Sequence, residues 1–273
     1  MNKINFNLIE NTNTVLTAYL SDEENLDSSG GKHPAMIVCP GGGYQLIAGI
    51  EGEPVALAYK NAGYKVFVLN YSVGIENPFP TAVQELATAI SLVRKNAESW
   101  GIDSDDISLT GFSAGGHLSL SLASFMYDKV ITEELGLSTE DIKPNNLVLG
   151  YPSVTLSTKR TTEPGIAEIL SGKLNPSEEE KKRFNLMNKI HKDIPRTFIW
   201  GTAEDNIIPA TDYLELTSNL YSLGVDCEFH FYQKGGHAMS LGTTEVRSDV
   251  DVARLHIDTW FNMALKWLKE GRE

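Results

Sequence analysis

The chain has little cysteine, no long hydrophobic run and a shortage of positive charge, and each shortage removes a class of function. Two cysteines occur in 273 residues. Cys39 lies in an apolar run and Cys227 in an alternating one, so both read as free core thiols, not as a disulfide framework or a metal-ligand pair. No pair of histidines has zinc-binding spacing beside an acid, so no metal site is expected. No apolar stretch approaches the roughly 20 residues that cross a bilayer. The opening residues, Met1-Asn2-Lys3-Ile4-Asn5-Phe6, lack the apolar centre of a secretory signal, which predicts a cytoplasmic protein. Basic residues number 23 against 36 acidic ones, a net charge of −13. Such a surface repels nucleic acid and anionic membranes, so neither is expected as a partner. A neutral small molecule suits it better, and a homo-oligomer is left open.

What is present reads as one α/β domain over residues 1–273. Residues 4 to 20 read as two antiparallel edge strands. Short, continuously apolar runs follow at Ala35–Cys39, Val66–Tyr71, Ile107–Thr110, Leu147–Tyr151 and Thr197–Gly201, with a last strand at Glu228–Tyr232. Continuous runs of this length suit strands buried on both faces of a parallel sheet. Helices are expected between them, at 52–62, 80–99, 209–223 and 250–269. In 80–99 the residues Val83, Leu86, Ala87, Ile90 and Val93 follow the helical period. Strand–helix alternation predicts a doubly wound, mostly parallel sheet. Residues 153–194, after the sixth strand, break that rhythm. Their charge run Glu178–Arg183 reads as a solvated helix. The whole segment, lying between two buried strands, is a candidate lid.

The chemistry starts from Gly111-Phe112-Ser113-Ala114-Gly115. A serine between glycines, after a strand and before a helix, can occupy a sharp turn that exposes its hydroxyl as a nucleophile. A serine needs a base, and the base needs an orienting acid. In folds with this turn, acid and histidine follow the serine, each just past a strand. Asp205 follows the run ending at Gly201 and precedes Pro209. It is preferred to its neighbour Glu204 because such acid loops read D-x-x-V/I-P, as Asp205-Asn206-Ile207-Ile208-Pro209 does. His237 follows the last strand in Gly235-Gly236-His237. The other histidines fit less well: His230 lies within a strand, His33 before one, His191 in the insertion and His256 in the last helix. His117 sits too near Ser113 and reads as a packed helix residue. Developing negative charge on a carbonyl oxygen needs backbone N–H donors. Ala114 is one, and Gly42 and Gly43 of Pro40-Gly41-Gly42-Gly43-Tyr44 are the others. That loop lacks the Lys-Ser/Thr and the glycine spacing of nucleotide loops. Tyr44 and Gln45 are candidate substrate contacts, with ordinary loop packing as the alternative.

These residues resemble a known group, the α/β-hydrolase esterases related to hormone-sensitive lipase and the acetylxylan esterases. Pro40–Tyr44 is similar to their His-Gly-Gly-Gly loop with proline in place of histidine. Glu51-Gly52-Glu53-Pro54-Val55-Ala56 resembles the segment that follows it in the bacterial sugar acetyl esterase branch. Asn70-Tyr71-Ser72-Val73 and Glu76-Asn77-Pro78-Phe79-Pro80 resemble the group's N-Y-R-V and E-N-P-F-P segments, and Trp100-Gly101-Ile102-Asp103 leads into its elbow. Ser72 departs from the group's arginine. The likeness spans residues 34–265. It implies the α/β-hydrolase fold, no cofactor, and a cytoplasmic hydrolase of esters with small acyl groups, with acetyl groups on sugars or xylo-oligosaccharides as substrates. An amide-cleaving peptidase or arylformamidase is the nearest alternative, and a ligand-binding relative without catalysis is another. The intact Ser113, Asp205 and His237 set argues against the last.

Overall fold

The computed structural model describes residues 3–9, 12, 14–20, 31–156, 164–249, 251 and 255–271. Its centre is one eight-stranded sheet, in the order β1-β2-β4-β3-β5-β6-β7-β8. The strands are β1 Ile4–Asn7, β2 Val15–Tyr19, β3 His33–Cys39, β4 Lys65–Asn70, β5 Ile102–Phe112, β6 Asn146–Gly150, β7 Arg196–Thr202 and β8 Cys227–Tyr232. β2 runs antiparallel to both β1 and β4, and the neighbours from β4 through β8 are parallel. This is the expected doubly wound arrangement with an antiparallel pair at one edge.

The helices are α1 Glu53–Asn61, α2 Thr81–Lys95, α3 Ala114–Phe125, the short α4 Lys129–Thr132 and α5 Thr139–Ile142, α6 Ile166–Ser171, α7 Glu178–Phe184, α8 Ala210–Ser222 and α9 Thr259–Glu270. They divide between the two sheet faces, which explains the continuous apolar runs. Along β3, Ala35, Ile37 and Cys39 face the cluster that also holds Leu86 and Ile90 of α2, Leu118 of α3 and Leu216 of α8. Met36 and Val38 point the other way, into a cluster with Val55 and Tyr59 of α1 and Trp260 and Trp267 of α9. Each fully buried aliphatic or aromatic side chain contributes about 1.5–3 kcal/mol, so neither face tolerates a polar alternation. Among the described residues, no helix is long and apolar enough to cross a membrane.

Two expected boundaries move by five residues or more. β5 begins at Ile102 instead of Ile107 because Ile102 pairs with His33 ahead of a register shift. The residues between, Asp103-Ser104-Asp105-Asp106, carry no apolar signal. The last helix begins at Thr259, not at 250. His256 has a left-handed backbone at φ 56°, and the fully buried Ile257 plugs the loops around Gly235 and Gly242. Residues 250 and 252–254 of the expected helix lie outside the described residues.

After β6 the chain leaves the sheet and returns at β7. Between them lie α6, α7 and a 3-10 turn at Leu186–Asn188. The charge run forms α7. Ser177 and Glu180 make a capping box at its start, with acidic residues in the first turn and Lys181, Lys182 and Arg183 in the last. That order complements the helix dipole.

Candidate active site

Ser113 stands between the last residue of β5 and the first of α3. Its backbone adopts φ 52°, ψ −117°, a strained region that costs an L-residue about 1–3 kcal/mol. The flanking glycines are steric requirements. A Cβ at Gly111 would lie 2.3 Å from the Gly115 carbonyl oxygen, and one at Gly115 would lie 2.0 Å from that of Cys39. Neighbouring strands hold the turn: the Ser113 N–H donates to the Gly150 carbonyl at 3.0 Å, and the Ser113 carbonyl accepts from the N–H groups of His117 at 3.0 Å and Ser153 at 3.1 Å.

The loop after β8 brings His237 to this serine, with Nε2 2.8 Å from Ser113 Oγ. On the other side, Nδ1 lies 2.8 Å from Asp205 Oδ2. Asp205 has no other use for that geometry than to accept. Its Oδ1 takes the N–H groups of Ile207 at 2.8 Å and Ile208 at 2.9 Å, and its Oδ2 also takes the Tyr213 hydroxyl at 2.6 Å. Burial works against the ionised form, but the hydrogen bond and charge of His237 and the donors from Tyr213 and Ile208 outweigh it and hold the carboxyl below its ordinary range. An ionised Asp205 fixes the proton on Nδ1 and leaves Nε2 to accept from the serine hydroxyl. Glu204 turns away and accepts from Lys234 Nζ at 2.7 Å and the Gly235 N–H at 3.1 Å. The structure thus separates the two adjacent acids.

The His237 loop is anchored from behind. Arg247 Nη1 donates to the carbonyls of His237 at 3.2 Å and Ala238 at 2.8 Å. The Arg247 fork pairs with both oxygens of Asp249, each at 2.8 Å. The ring of Tyr151 stands edge-on to the His237 ring, with centroids 5.0 Å apart.

Ser113 and His237 open onto a cavity of about 310 Å³, which is also lined by Gly42, Gly43, Gln45, Ala48, Glu51, Gly165, Ile166, Ile207, Ile208 and Ala238. Gly42 and Gly43 have left-handed backbones at φ 127° and 66°. Among the described residues, the N–H groups of Gly42, Gly43 and Ala114 donate to no protein acceptor. They are free to bind a ligand oxygen beside Ser113. Gln45 lines the cavity and its Nε2 donates to the Pro164 carbonyl of the inserted segment.

Tyr44 lies elsewhere. At φ 57° its side chain turns into the core, 2% exposed, and its hydroxyl meets His117 Nδ1 at 3.0 Å. The expected substrate contact at Tyr44 is therefore replaced by core packing, while Gln45 does reach the cavity. His117 is buried, as its place on the elbow helix suggests, and its Nε2 donates to the Phe184 carbonyl at 3.0 Å. His256 sits in the turn before α9, not inside it. Ser72 gives its N–H and hydroxyl to the buried Glu85 carboxylate at 2.7 and 2.5 Å, and Thr14 donates to the same group.

Sequence reasoning gave no role to Glu51, Tyr151, Tyr213 or Arg247. Glu51 and Tyr151 meet across the fold, 100 positions apart, Tyr213 reaches Asp205 from 8 positions away and Arg247 reaches His237 from 10, and none lies in a spacing that signals it. Only the Glu51-Gly52-Glu53-Pro54 likeness marked one of them.

This sheet, with its strand–serine–helix turn, is that of an α/β hydrolase. The chain shares 31% identity and a TM-score of 0.77 with MGS-M1, an α/β-hydrolase enzyme from a Medee basin deep-sea metagenome library, over 99% of this chain and 97% of that one. More narrowly, the chain belongs to the BD-FAE family, whose profile matches residues 25–220. It is also similar to the acetyl ester-xyloside bifunctional hydrolase of Caldicellulosiruptor lactoaceticus, at 29% identity and a TM-score of 0.74 over 94% of this chain and 88% of that one. Endo-1,4-beta-xylanase B of Butyrivibrio fibrisolvens is 30% identical over 217 residues, which cover 78% of this chain and 34% of the xylanase. The chain thus spans about a third of that relative's length.

Proposed function

We propose that this protein hydrolyses carboxylic esters with small acyl groups through an acyl-enzyme on Ser113, and that acetyl groups on sugars or xylo-oligosaccharides are its substrates. The observation that carries the reading is the chain Asp205–His237–Ser113, with 2.8 Å at both links, opening onto a cavity that Gly42 and Gly43 also line. The xyloside and acetyl ester chemistry named for its relatives supports the substrate.

His237 Nε2 takes the hydroxyl proton as Ser113 Oγ attacks the acyl carbon. The carbonyl oxygen becomes an oxyanion and receives the N–H groups of Gly42, Gly43 and Ala114. His237, held by Asp205, then protonates the departing alcohol. Water attacks the acyl-serine by the same path and releases the carboxylate. Loss of one oxyanion donor in such sites costs about 10²–10³ in kcat, so the glycine loop contributes several kcal/mol to the transition state beside the serine. The segment 153–194 serves as the lid: its Gly165 and Ile166 line the cavity, and Gln45 fastens it to the glycine loop through Pro164. We read residues 1–273 as a single domain, working in the cytoplasm on imported acetylated oligosaccharides.

The test compares the protein with Ser113→Ala on 4-nitrophenyl acetate and on acetylated xylo-oligosaccharides. Acetate release from both substrates that vanishes in the variant is expected. Release that survives in Ser113→Ala would contradict the nucleophile. Turnover of the aryl ester alone would contradict the sugar substrate.

A further inference from the structure

A buried carboxylate that the reaction above does not use lines the cavity. Glu51 is 1% exposed and lines the same cavity as Ser113 and His237. Its two oxygens have different partners. Oε2 accepts the Gly41 N–H at 2.7 Å, and Oε1 accepts the Tyr151 hydroxyl at 2.6 Å. Gly41 begins the glycine loop. Tyr151 stands against the His237 ring and accepts the Ser240 N–H at 2.9 Å. Ser240 returns to the Glu51 segment, its hydroxyl donating to the Ile50 carbonyl at 2.6 Å, and its carbonyl accepts Trp260 Nε1 at 2.9 Å.

We propose that Glu51 is a positioning residue that joins the oxyanion loop to the histidine loop and places a second negative charge near the imidazolium formed during acyl transfer. The proposal rests on the esterase reading above. Both Glu51 oxygens are used as acceptors, which suits an ionised carboxylate. The space for a side chain is closed: a Cβ at Gly41 would lie 2.7 Å from Glu51 Oε2 and 3.0 Å from Ser113 Cβ. Glu51 is thereby wedged against the loop that must carry the oxyanion donors, and a small shift of the carboxylate moves Gly41 with it.

The charged and titratable groups around Glu51 are Tyr151 after β6, His237 and Arg247 beyond β8, and Tyr71 after β4. Tyr71 gives its hydroxyl to the Pro40 carbonyl at 2.8 Å. Burial holds the Glu51 carboxyl above its ordinary range, and the Tyr151 and Gly41 donors with the charges of His237 and Arg247 offset only part of that rise. The attraction between Glu51 and a protonated His237 works on both groups. A carboxylate here stabilises the positive charge that His237 gains when it takes the serine proton, as Asp205 does from the other side.

The test uses two substitutions that separate charge from reach, with Ser113→Ala as the reference. Glu51→Gln keeps the shape and removes the charge. Its kcat is expected to fall roughly tenfold, with KM within about twofold, because the lost interaction is made in the transition state. Glu51→Asp keeps the charge and shortens the reach, so it should lower kcat by less than Glu51→Gln does. A Glu51→Gln enzyme with the parent kcat would overturn the proposal. So would a Glu51→Asp enzyme as slow as Glu51→Gln, which would tie the loss to packing alone. If Glu51→Gln does not fold, Tyr151→Phe gives the second reading: a severalfold loss of kcat at constant KM is expected, and parental kcat would overturn the link. Activity that persists in Ser113→Ala sinks the esterase reading itself, a distinct outcome.

Discussion

The Tyr44 hydroxyl lies 3.0 Å from Nδ1 of His117, so the loop of three glycines is fastened to the helix that follows the serine. The same ring donates from Nε2 to the Phe184 carbonyl, at the end of α7 in the inserted segment. One neutral imidazole therefore joins loop, elbow helix and insertion. Burial pushes its pKa down from 6.5 to about 4.

That depression gives a stability prediction. Unfolded His117 takes up a proton near its ordinary value of 6.5, whereas the folded group resists until about 4. Between these values the unfolded chain binds more protons, so stability falls as pH falls. The contribution is whole above the upper value and decreases through the window by about 3 kcal/mol at most. His117→Gln removes the titration. Chemical unfolding at several pH values should show the stability of the parent falling towards that of the variant from neutral to mildly acid pH. A constant difference would contradict the assignment.

Tyr213 offers a test of the acid. Its hydroxyl donates to Asp205 Oδ2 at 2.6 Å, the oxygen that also faces His237. Tyr213→Phe keeps the ring and removes this donor, leaving His237 and two backbone amides to hold Asp205. A fall in kcat/KM of roughly three- to tenfold is expected for the loss of one orienting hydrogen bond worth about 1 kcal/mol. Steady-state kinetics on 4-nitrophenyl acetate reads it. Unchanged kinetics would mean that Asp205 is set by the backbone alone.

Gly42 tests the loop. At φ +127°, its Cβ would fall 1.9 Å from the Leu46 carbonyl oxygen. Gly42→Ala must move the loop, and a loss of roughly hundredfold in kcat is expected from misplaced oxyanion donors. Gly63 is the control. It has φ +96° but open space for a Cβ, so Gly63→Ala should lose about 1–2 kcal/mol of stability and keep its turnover. Equal effects on turnover would show that general strain, not oxyanion geometry, is being measured.

The strands between Ala35 and Gly201 were legible because burial on two faces leaves no room for polar alternation. The elbow was legible because strain admits only small neighbours at Gly111 and Gly115. Asp205 was separable from Glu204 by its loop pattern, and the structure turns the two acids in different directions. What the sequence concealed depends on pairing or on contacts across the fold. Ile102–Asp106 is a strand through its pairing with His33, not through its own pattern. The start of α9 is delayed because Ile257 is needed as a plug. Tyr44 reads as an exposed loop residue until the left-handed turn swings it onto His117. Glu51 gains its partners from Gly41 and from Tyr151, the latter 100 positions away.

The central claim is that Ser113 carries the acyl group. The direct measurement is mass spectrometry of the protein quenched during turnover of 4-nitrophenyl acetate, followed by peptide mapping. The account predicts an acetyl group on the Ser113 hydroxyl, present in the parent and absent from Ser113→Ala, with its formation matching the initial release of 4-nitrophenol. Rapid turnover with no acetylated Ser113 at any quench time, together with undiminished turnover by Ser113→Ala, would contradict it.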